Sequence, residues 1–352
     1  MYPLNFSTHG WQRHGTAPDD GSSALEWNEN LPLPDLGPTN VLVKYHSRSM
    51  NYPEISIANG TFPWKCPDHV VVPGSDGAGE VISRGSSVTK FAIGDKVILQ
   101  HYPGFRDGPA PASLQKVPGT HMDGTFCEHG VWDESHLLRM PEYLSYEEAA
   151  TLPCSALTAW NCVLGPTPLR QGDFILTQGT GGVSLFAIQF AIKLGATVIA
   201  TTSSEEKAAK LRSLGAHHVI NYRDVPEWGS RARELASSKG GCQKVVEIGG
   251  PGTIGESFKC VARGGEINIV GFVTGVDYKE SPNLLSPLLH PCTVRGIEVG
   301  NQIHFEGMMK FMEAWKIRPV LEERRFSLQD IKEAYKYFWS GKHFGKMVIS
   351  NM

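Results

Sequence analysis

The chain has 352 residues, 33 Lys and Arg against 36 Asp and Glu, and a formal net charge of −3, a length that suits two domains of ordinary size. With 41% hydrophobic and 20% charged residues of both signs, it can bury a sizeable core and is neither a disordered tail nor a nucleic-acid-coating surface. No apolar run approaches the roughly 18 residues of a membrane span, and the start MYPLNFSTHGWQRHG lacks the features of a secretory signal, so a soluble cytoplasmic protein is expected.

The seven cysteines (Cys66, Cys127, Cys154, Cys162, Cys242, Cys260, Cys292) are scattered, odd in number and free of any C-x-x-C pair. Free thiols are therefore expected, rather than a disulfide framework or a ribbon-type zinc site.

In chain order, the first 155 residues read as short extended segments broken by turns. They are Val41–Tyr45, Val70–Val72, Glu80–Ser83, Asp95–Leu99 and Phe126–Trp132, followed by a helical segment near Tyr146–Ala150. This predicts an irregular, mostly antiparallel β domain. From about Leu157 the texture changes. Short apolar runs at Phe174, Val198, Val219, Val245 and Ile267 read as strands buried on both faces. Between them lie helix-period segments, one carrying Val183, Phe186, Ala187, Phe190, Ala191 and Leu194 on one face and stopping at Gly195, another running from Glu205 to Leu214. That alternation predicts an α/β doubly wound parallel sheet. After Pro291 the rhythm ends; helices are expected over Glu306–Lys316 and from Ser327 towards Gly341, with a last strand at Gly345–Ile349.

The strongest chemical signal is Phe174-Ile-Leu-Thr-Gln-Gly179-Thr180-Gly181-Gly182-Val183-Ser184, an apolar strand running into a glycine-rich turn and then a helix. A dinucleotide-binding fold needs glycine for the tight turn, glycine again where the backbone nears the pyrophosphate, and a small residue where helix meets strand. Gly179, Gly181 and Ser184 fill these places. An acidic residue about 20 residues on would hold the ribose of NAD. The second strand ends instead in Ser203-Ser204-Glu205-Glu206-Lys207. Hydroxyls and an ammonium suit a 2′-phosphate, and Tyr222 is placed to meet the adenosine, so NADP(H) is favoured. The alternative is that Glu205 turns back to the ribose and Lys207 is a solvated helix residue. The chain contains no Y-x-x-x-K pair, no G-x-x-x-x-G-K-[ST] loop and no G-x-S-x-G elbow.

Together with Asn51-Tyr-Pro-Glu54, Pro73-Gly-Ser-Asp-Gly-Ala-Gly-Glu80, Phe91-Ala-Ile-Gly-Asp-Lys-Val97, Asp123-Gly-Thr-Phe126, Ala156-Leu-Thr-Ala-Trp160, Leu214-Gly-Ala-His-His-Val-Ile-Asn221, Gly264-Gly265 and His343-Phe-Gly-Lys346, this turn resembles the medium-chain dehydrogenase/reductase superfamily, in its zinc-independent alcohol dehydrogenase and quinone oxidoreductase branch. The resemblance covers essentially the whole chain. It implies a GroES-like catalytic domain from residues 1–155 and 293–352, a Rossmann domain over 156–292, and a homodimer pairing edge strands near Thr293–Val299. It further implies that Gly249 and Gly250, with Val270, Gly271 and Phe272, flank the ribose and nicotinamide, and that Phe305 and Lys346 close the cofactor groove.

Departures from the family pattern bear on chemistry. Zinc-dependent members carry cysteine near the position of Asn51, His-Glu where this chain has Ser75-Asp76, and a four-cysteine lobe that is missing here. No catalytic zinc is expected. Some related enoyl reductases use a tyrosine in a G-x-Y-P string; here it reads Gly60-Thr-Phe62-Pro63. The catalytic candidates are then Tyr52 as acid, Asn51 as orienting group and Thr158 near the nicotinamide, with His101 and His129 behind them. The expected activity is NADPH-dependent hydride transfer to a carbonyl or a conjugated alkene of a small organic substrate. The rivals are an enone or quinone reductase, and a cofactor-binding protein with little turnover.

Overall fold

The computed structural model describes residues 7–67, 69–110, 117–276 and 282–351. The chain divides into one unit made of Met1–Ser155 with Asn301–Met352 and a second made of Ala156–Gly300. The first opens with an antiparallel ribbon, β1 (Ser7–Arg13) and β2 (Leu25–Pro32). Then come β3 (Asn40–Ser49), α1 (Tyr52–Ala58), β4 (Asp76–Arg84), β5 (Lys96–Leu99), β6 (His129–Asp133), β7 (Leu137–Arg139) and the short α2 (Tyr146–Ala149). Two expected strands differ from these. Val70–Val72 supplies only a single bridge, Arg13 with Val71, and the Phe126 segment becomes regular at His129.

The second unit begins with α3 (Leu157–Leu164) and continues β8 (Phe174–Gln178), α4 (Gly182–Lys193), β9 (Thr197–Thr202), α5 (Glu205–Ser213), β10 (His218–Asn221), α6 (Trp228–Leu235), β11 (Cys242–Glu247), α7 (Ile254–Cys260), β12 (Val261–Ile269), α8 (Ser286–Leu289) and β13 (Thr293–Gly296). Its strands form one parallel sheet in the order β10-β9-β8-β11-β12-β13. Ile175, Leu176, Val198, Ile199, Val245 and Val246 have no exposure, because helices cover both faces. At about 1.5–3 kcal/mol for each such side chain, this core outweighs the modest helix propensity of the connections. The order reverses between β8 and β11, where ligands collect in open α/β sheets.

The chain rejoins the first unit through α9 (Gln302–Trp315), α10 (Ile331–Trp339) and β14 (Val348–Ser350). The sheet there is ordered β14-β3-β4-β5-β7, with β6 also on β3 and every pair antiparallel. The return had been expected from residue 293. Thr293–Gly296 instead adds a sixth parallel strand to β12, whose outer edge needs its ladder partners, and the first unit resumes at Asn301.

Candidate active site

Gly179 turns with φ of +74°, a conformation glycine adopts without a Cβ clash. Gly181 differs. It caps α4 with φ −78° and ψ 174°, which any residue adopts, and a Cβ built there would meet no atom within 4 Å. Neither backbone nor packing demands glycine at 181; what its absent side chain leaves is open space above the first turn of α4. The helix N–H groups at that turn have no partner within the helix. Ser184 is buried, and its Oγ donates to the Gln178 carbonyl at 2.5 Å, pinning helix to strand. This turn fits a dinucleotide pyrophosphate.

Under the turn lies a network that sequence reasoning missed. The Gln178 amide donates to Glu247 Oε2 at 2.7 Å and accepts from the N–H groups of Ile248 and Gly249 at 2.9 and 3.1 Å. Glu247, fully buried, accepts from Gly249 N and Gly250 N at 2.9 Å each, and from the hydroxyls of Thr253 and Ser257. One carboxylate therefore shapes the Gly249-Gly250 loop at the tip of β11. The loop after β12 is zipped to it: Val270 N donates to Glu247 O at 2.8 Å and Thr274 N to Gly249 O at 2.9 Å. Gly250 has φ +85°, and its Cβ would stand 3.0 Å from Phe272 Cα. The available signal was an acid inside the apolar run Val245-Val-Glu-Ile.

At the tip of β9, Ser204 caps α5 by accepting from Lys207 N at 3.3 Å. Glu205 lies along the same helix, where its ion pair with Arg212 holds its carboxyl below the usual carboxylate range. Tyr222 is partly exposed beside this tip and donates its N–H to Thr202 O at 3.0 Å. Thr158 is buried in α3.

In the first unit, Asn51 and Tyr52 stand where β3 passes into α1. Asn51 N donates to Glu54 Oε2 at 2.9 Å, closing the helix start. The Asn51 carboxamide is held at both ends: its Nδ2 donates to Asp76 Oδ2 at 2.9 Å, while its Oδ1 accepts from Lys346 Nζ at 2.6 Å and Ser155 Oγ at 3.0 Å. Lys346 Nζ also donates to Met50 O at 2.7 Å and lies 3.4 Å from Asp76 Oδ2. Ser49 Oγ and Cys154 N donate to Asp76 at 2.7 and 3.0 Å, and Ser75 donates through N and Oγ to Glu54. Burial, with Asp76 adding to it, pushes the Glu54 carboxyl up, and Lys346 opposes the rise. Burial likewise pushes the Tyr52 phenol up.

Two expectations change here. Lys346 does not turn its ammonium towards a groove; it is 2% exposed and bound to three acceptors, as a buried cation requires. Phe305 is buried in α9 beside Met308 and Met312 in sequence spacing, a core position. Of the two histidines, His129 lies in β6 with Nδ1 3.2 Å from Thr8 Oγ1, and His101 is buried with its ring against Tyr102.

The surroundings of Asn51 do not fit a zinc ion. They supply the carboxamide of Asn51, the hydroxyls of Ser49, Ser75 and Ser155 and the carboxyls of Asp76 and Glu54, which bond to one another, and the ammonium of Lys346 already stands among them. Among the described residues, no group of three or more His, Cys, Asp or Glu is placed to hold a metal.

Residues 37–142 match the alcohol dehydrogenase GroES-like domain and residues 182–314 the zinc-binding dehydrogenase family. A zinc-type alcohol dehydrogenase-like protein of Schizosaccharomyces pombe is 40% identical over 321 residues, 89% of this chain and 91% of that one. The chain belongs to the medium-chain dehydrogenase/reductase superfamily. The crystal structure of an NAD-dependent alcohol dehydrogenase superposes on this medium-chain dehydrogenase/reductase with a TM-score of 0.84 at 30% identity, covering 99% of this chain and all of that one. The 2-octenoyl-CoA carboxylase reductase CinF, solved with NADP and 2-octenoyl-CoA, gives 0.84 at 26% identity over 99% and 88%. Relatives in this superfamily are oxidoreductases whose members bind nicotinamide dinucleotides. No helix among the described residues is long and apolar enough to cross a membrane.

Proposed function

We propose that this oxidoreductase uses NADPH without a catalytic metal to reduce a carbonyl or a conjugated alkene in a small organic substrate. The observation that carries the reading is the open strand–turn–helix at the sheet's switch point, where glycine at 181 serves neither backbone nor core. The amides of Gly181, Gly182 and Val183, with Gly179 and Thr180 shaping the turn, would hold the pyrophosphate. Ser203, Ser204, Lys207 and Tyr222 would meet the adenosine end, where hydroxyls and an ammonium suit a 2′-phosphate. Gly249, Gly250, Val270, Gly271 and Phe272 would flank the ribose and nicotinamide. A nicotinamide dinucleotide bound there supplies the hydride.

The chain's own residues would do the rest. Tyr52, whose phenol carries its proton at neutral pH, donates to the oxygen that gains charge. Asn51 is a positioning residue, since both ends of its carboxamide are engaged. Thr158 orients the nicotinamide. The ammonium of Lys346 lies behind Asn51 and, donating to its Oδ1, fixes the carboxamide so that it keeps one orientation. Edge pairing along β13 would make the protein a homodimer. The likeness to CinF favours a second reading, reduction of the alkene.

C4-deuterated NADPH, offered with conjugated enals and enones, tests both. Deuterium on the former carbonyl carbon establishes alcohol dehydrogenase chemistry, and deuterium on the β-carbon establishes ene reduction. The rate should survive prolonged dialysis against a chelator and fall when NADH replaces NADPH. Binding without any transfer across the panel would leave a cofactor-binding protein instead, and a chelator-sensitive rate would restore a metal.

A further inference from the structure

The turn that follows β10 is closed by Asn221. Its Oδ1 accepts from Arg223 N at 3.2 Å and its Nδ2 donates to Asp224 Oδ2 at 2.5 Å. Its backbone carbonyl accepts from the N–H groups of Asp224 and Val225 at 3.1 and 2.9 Å. An asparagine that bonds the backbone two residues on fixes a turn without help from a core, and this one sets Tyr222 and Arg223 at its tip, both exposed. The pairing of β10 with β9 places that tip. Asn221 lies opposite Thr202, and Tyr222 N donates to Thr202 O at 3.0 Å, so Tyr222 and Arg223 continue the chain beside Ser203 and Ser204. This is the carboxyl end of the sheet, where ligands gather in open α/β folds. The Arg223 guanidinium meets no partner among the described residues, and the acid next to it, Asp224, takes a hydrogen bond from Asn221. Arg212, the other arginine on this edge, lies in the last turn of α5 and is paired with Glu205 at 2.5 Å.

We propose that Arg223 is the residue that tells NADPH from NADH, its guanidinium pairing with the 2′-phosphate. The inference rests on the NADPH reading above and adds to it a residue outside the Ser203–Lys207 segment. A guanidinium fork takes two phosphate oxygens at once, whereas the ammonium of Lys207 acts as a point charge. The ribose hydroxyl that NADH carries in the same place brings no charge to pair, so the contact separates the two nucleotides instead of strengthening both. A guanidinium stacked on the adenine would strengthen both alike, and that difference decides the test.

Calorimetric titration of adenosine 2′,5′-bisphosphate and of 5′-AMP into the full-length protein reads this without turnover. The parent should bind the bisphosphate more tightly. Arg223→Gln should weaken the bisphosphate by about tenfold or more and leave 5′-AMP as it was, which also shows that the variant is folded. Arg223→Lys keeps the charge but not the fork and should fall between the two. Should Arg223→Gln fail to fold, Arg223→Lys carries the test, with a severalfold loss confined to the bisphosphate. An equal loss of both nucleotides in a variant that melts like the parent would put the guanidinium on the adenine and overturn the proposal. A parent that binds the two nucleotides equally overturns the NADPH reading, and the proposal with it. A parent that prefers the bisphosphate, with an Arg223→Gln that keeps the same preference, overturns the proposal alone and leaves the 2′-phosphate to Lys207 and the serines.

Discussion

Replacing Lys346 with methionine would leave Asp76 and the Asn51 carbonyl buried without the ammonium that both now meet. Breaking a buried pair in this way costs about 3–5 kcal/mol. The loss should depend on pH through Glu54, whose carboxyl lies above the usual range because of burial and Asp76. A carboxylic acid raised in the folded state holds its proton more tightly there than in the unfolded chain. Its ionisation therefore lowers stability as pH rises from the ordinary carboxylate range through the raised value. Lys346 opposes that rise, so its removal lifts Glu54 further and widens the window. We expect Lys346→Met to be destabilised more at neutral pH than at about pH 5, by urea unfolding at both. An equal loss at the two pH values would remove Glu54 from this account. The sequence showed the residue types in this cluster but not their meeting: Asn51 and Lys346 are separated by 295 positions, and only the β14–β3 pairing brings them together.

The strand–turn–helix of β8 and α4 makes a separable prediction, because Gly179 and Gly181 are needed for different reasons. Alanine at 179 must adopt φ near +74°, at a cost of about 1–2 kcal/mol. Alanine at 181 keeps an ordinary backbone and meets nothing, so its cost in stability should stay below about 1 kcal/mol, the difference between the two residues as helix caps. Its methyl group would nonetheless fill the space above the turn. Gly181→Ala should melt close to the parent yet bind NADPH about tenfold or more weakly. Thermal melts and fluorescence titrations of the two variants check this, and parent-like NADPH affinity in Gly181→Ala would exclude the turn as the pyrophosphate site. This element was legible because a parallel strand buried on both faces is a continuous apolar run, and glycines follow it directly. The ribbon of β1 and β2 was not legible. Its inward residues Trp11, Leu25 and Leu31 are spread among His, Asn and Glu, and a bulge between Thr8 and Gly10 breaks the alternation. The boundary at residue 301 was hidden for a related reason: Thr293–Gly296 is too short and too polar to announce itself as a sixth parallel strand.

Across the whole molecule, each unit has its own core. Met50, Phe126, Phe326, Tyr335 and Ile349 cluster in the first, and Leu176, Ile199, Val245, Phe258 and Ile267 in the second. The residues placed around the dinucleotide phosphates and adenosine all lie in the second. A ligand that binds only the folded state stabilises it by RT ln(1 + [L]/Kd), about 2.7 kcal/mol at a hundredfold excess over Kd. That energy should be felt in every opening that breaks the site. Hydrogen exchange with saturating NADPH should therefore slow amides in the segments 179–184, 203–207 and 247–253, together with the strands β8, β9 and β11 that carry them. Within the first unit, the ribbon of β1 and β2 should exchange at its unliganded rate, because none of the residues assigned to the cofactor lies in it. Protection confined to the first unit would place the dinucleotide elsewhere and overturn the assignment of the glycine turn. Protection of the turn without the 203–207 segment would keep the pyrophosphate there while removing Ser203, Ser204 and Lys207 from the adenosine end, and with them the structural argument for a 2′-phosphate.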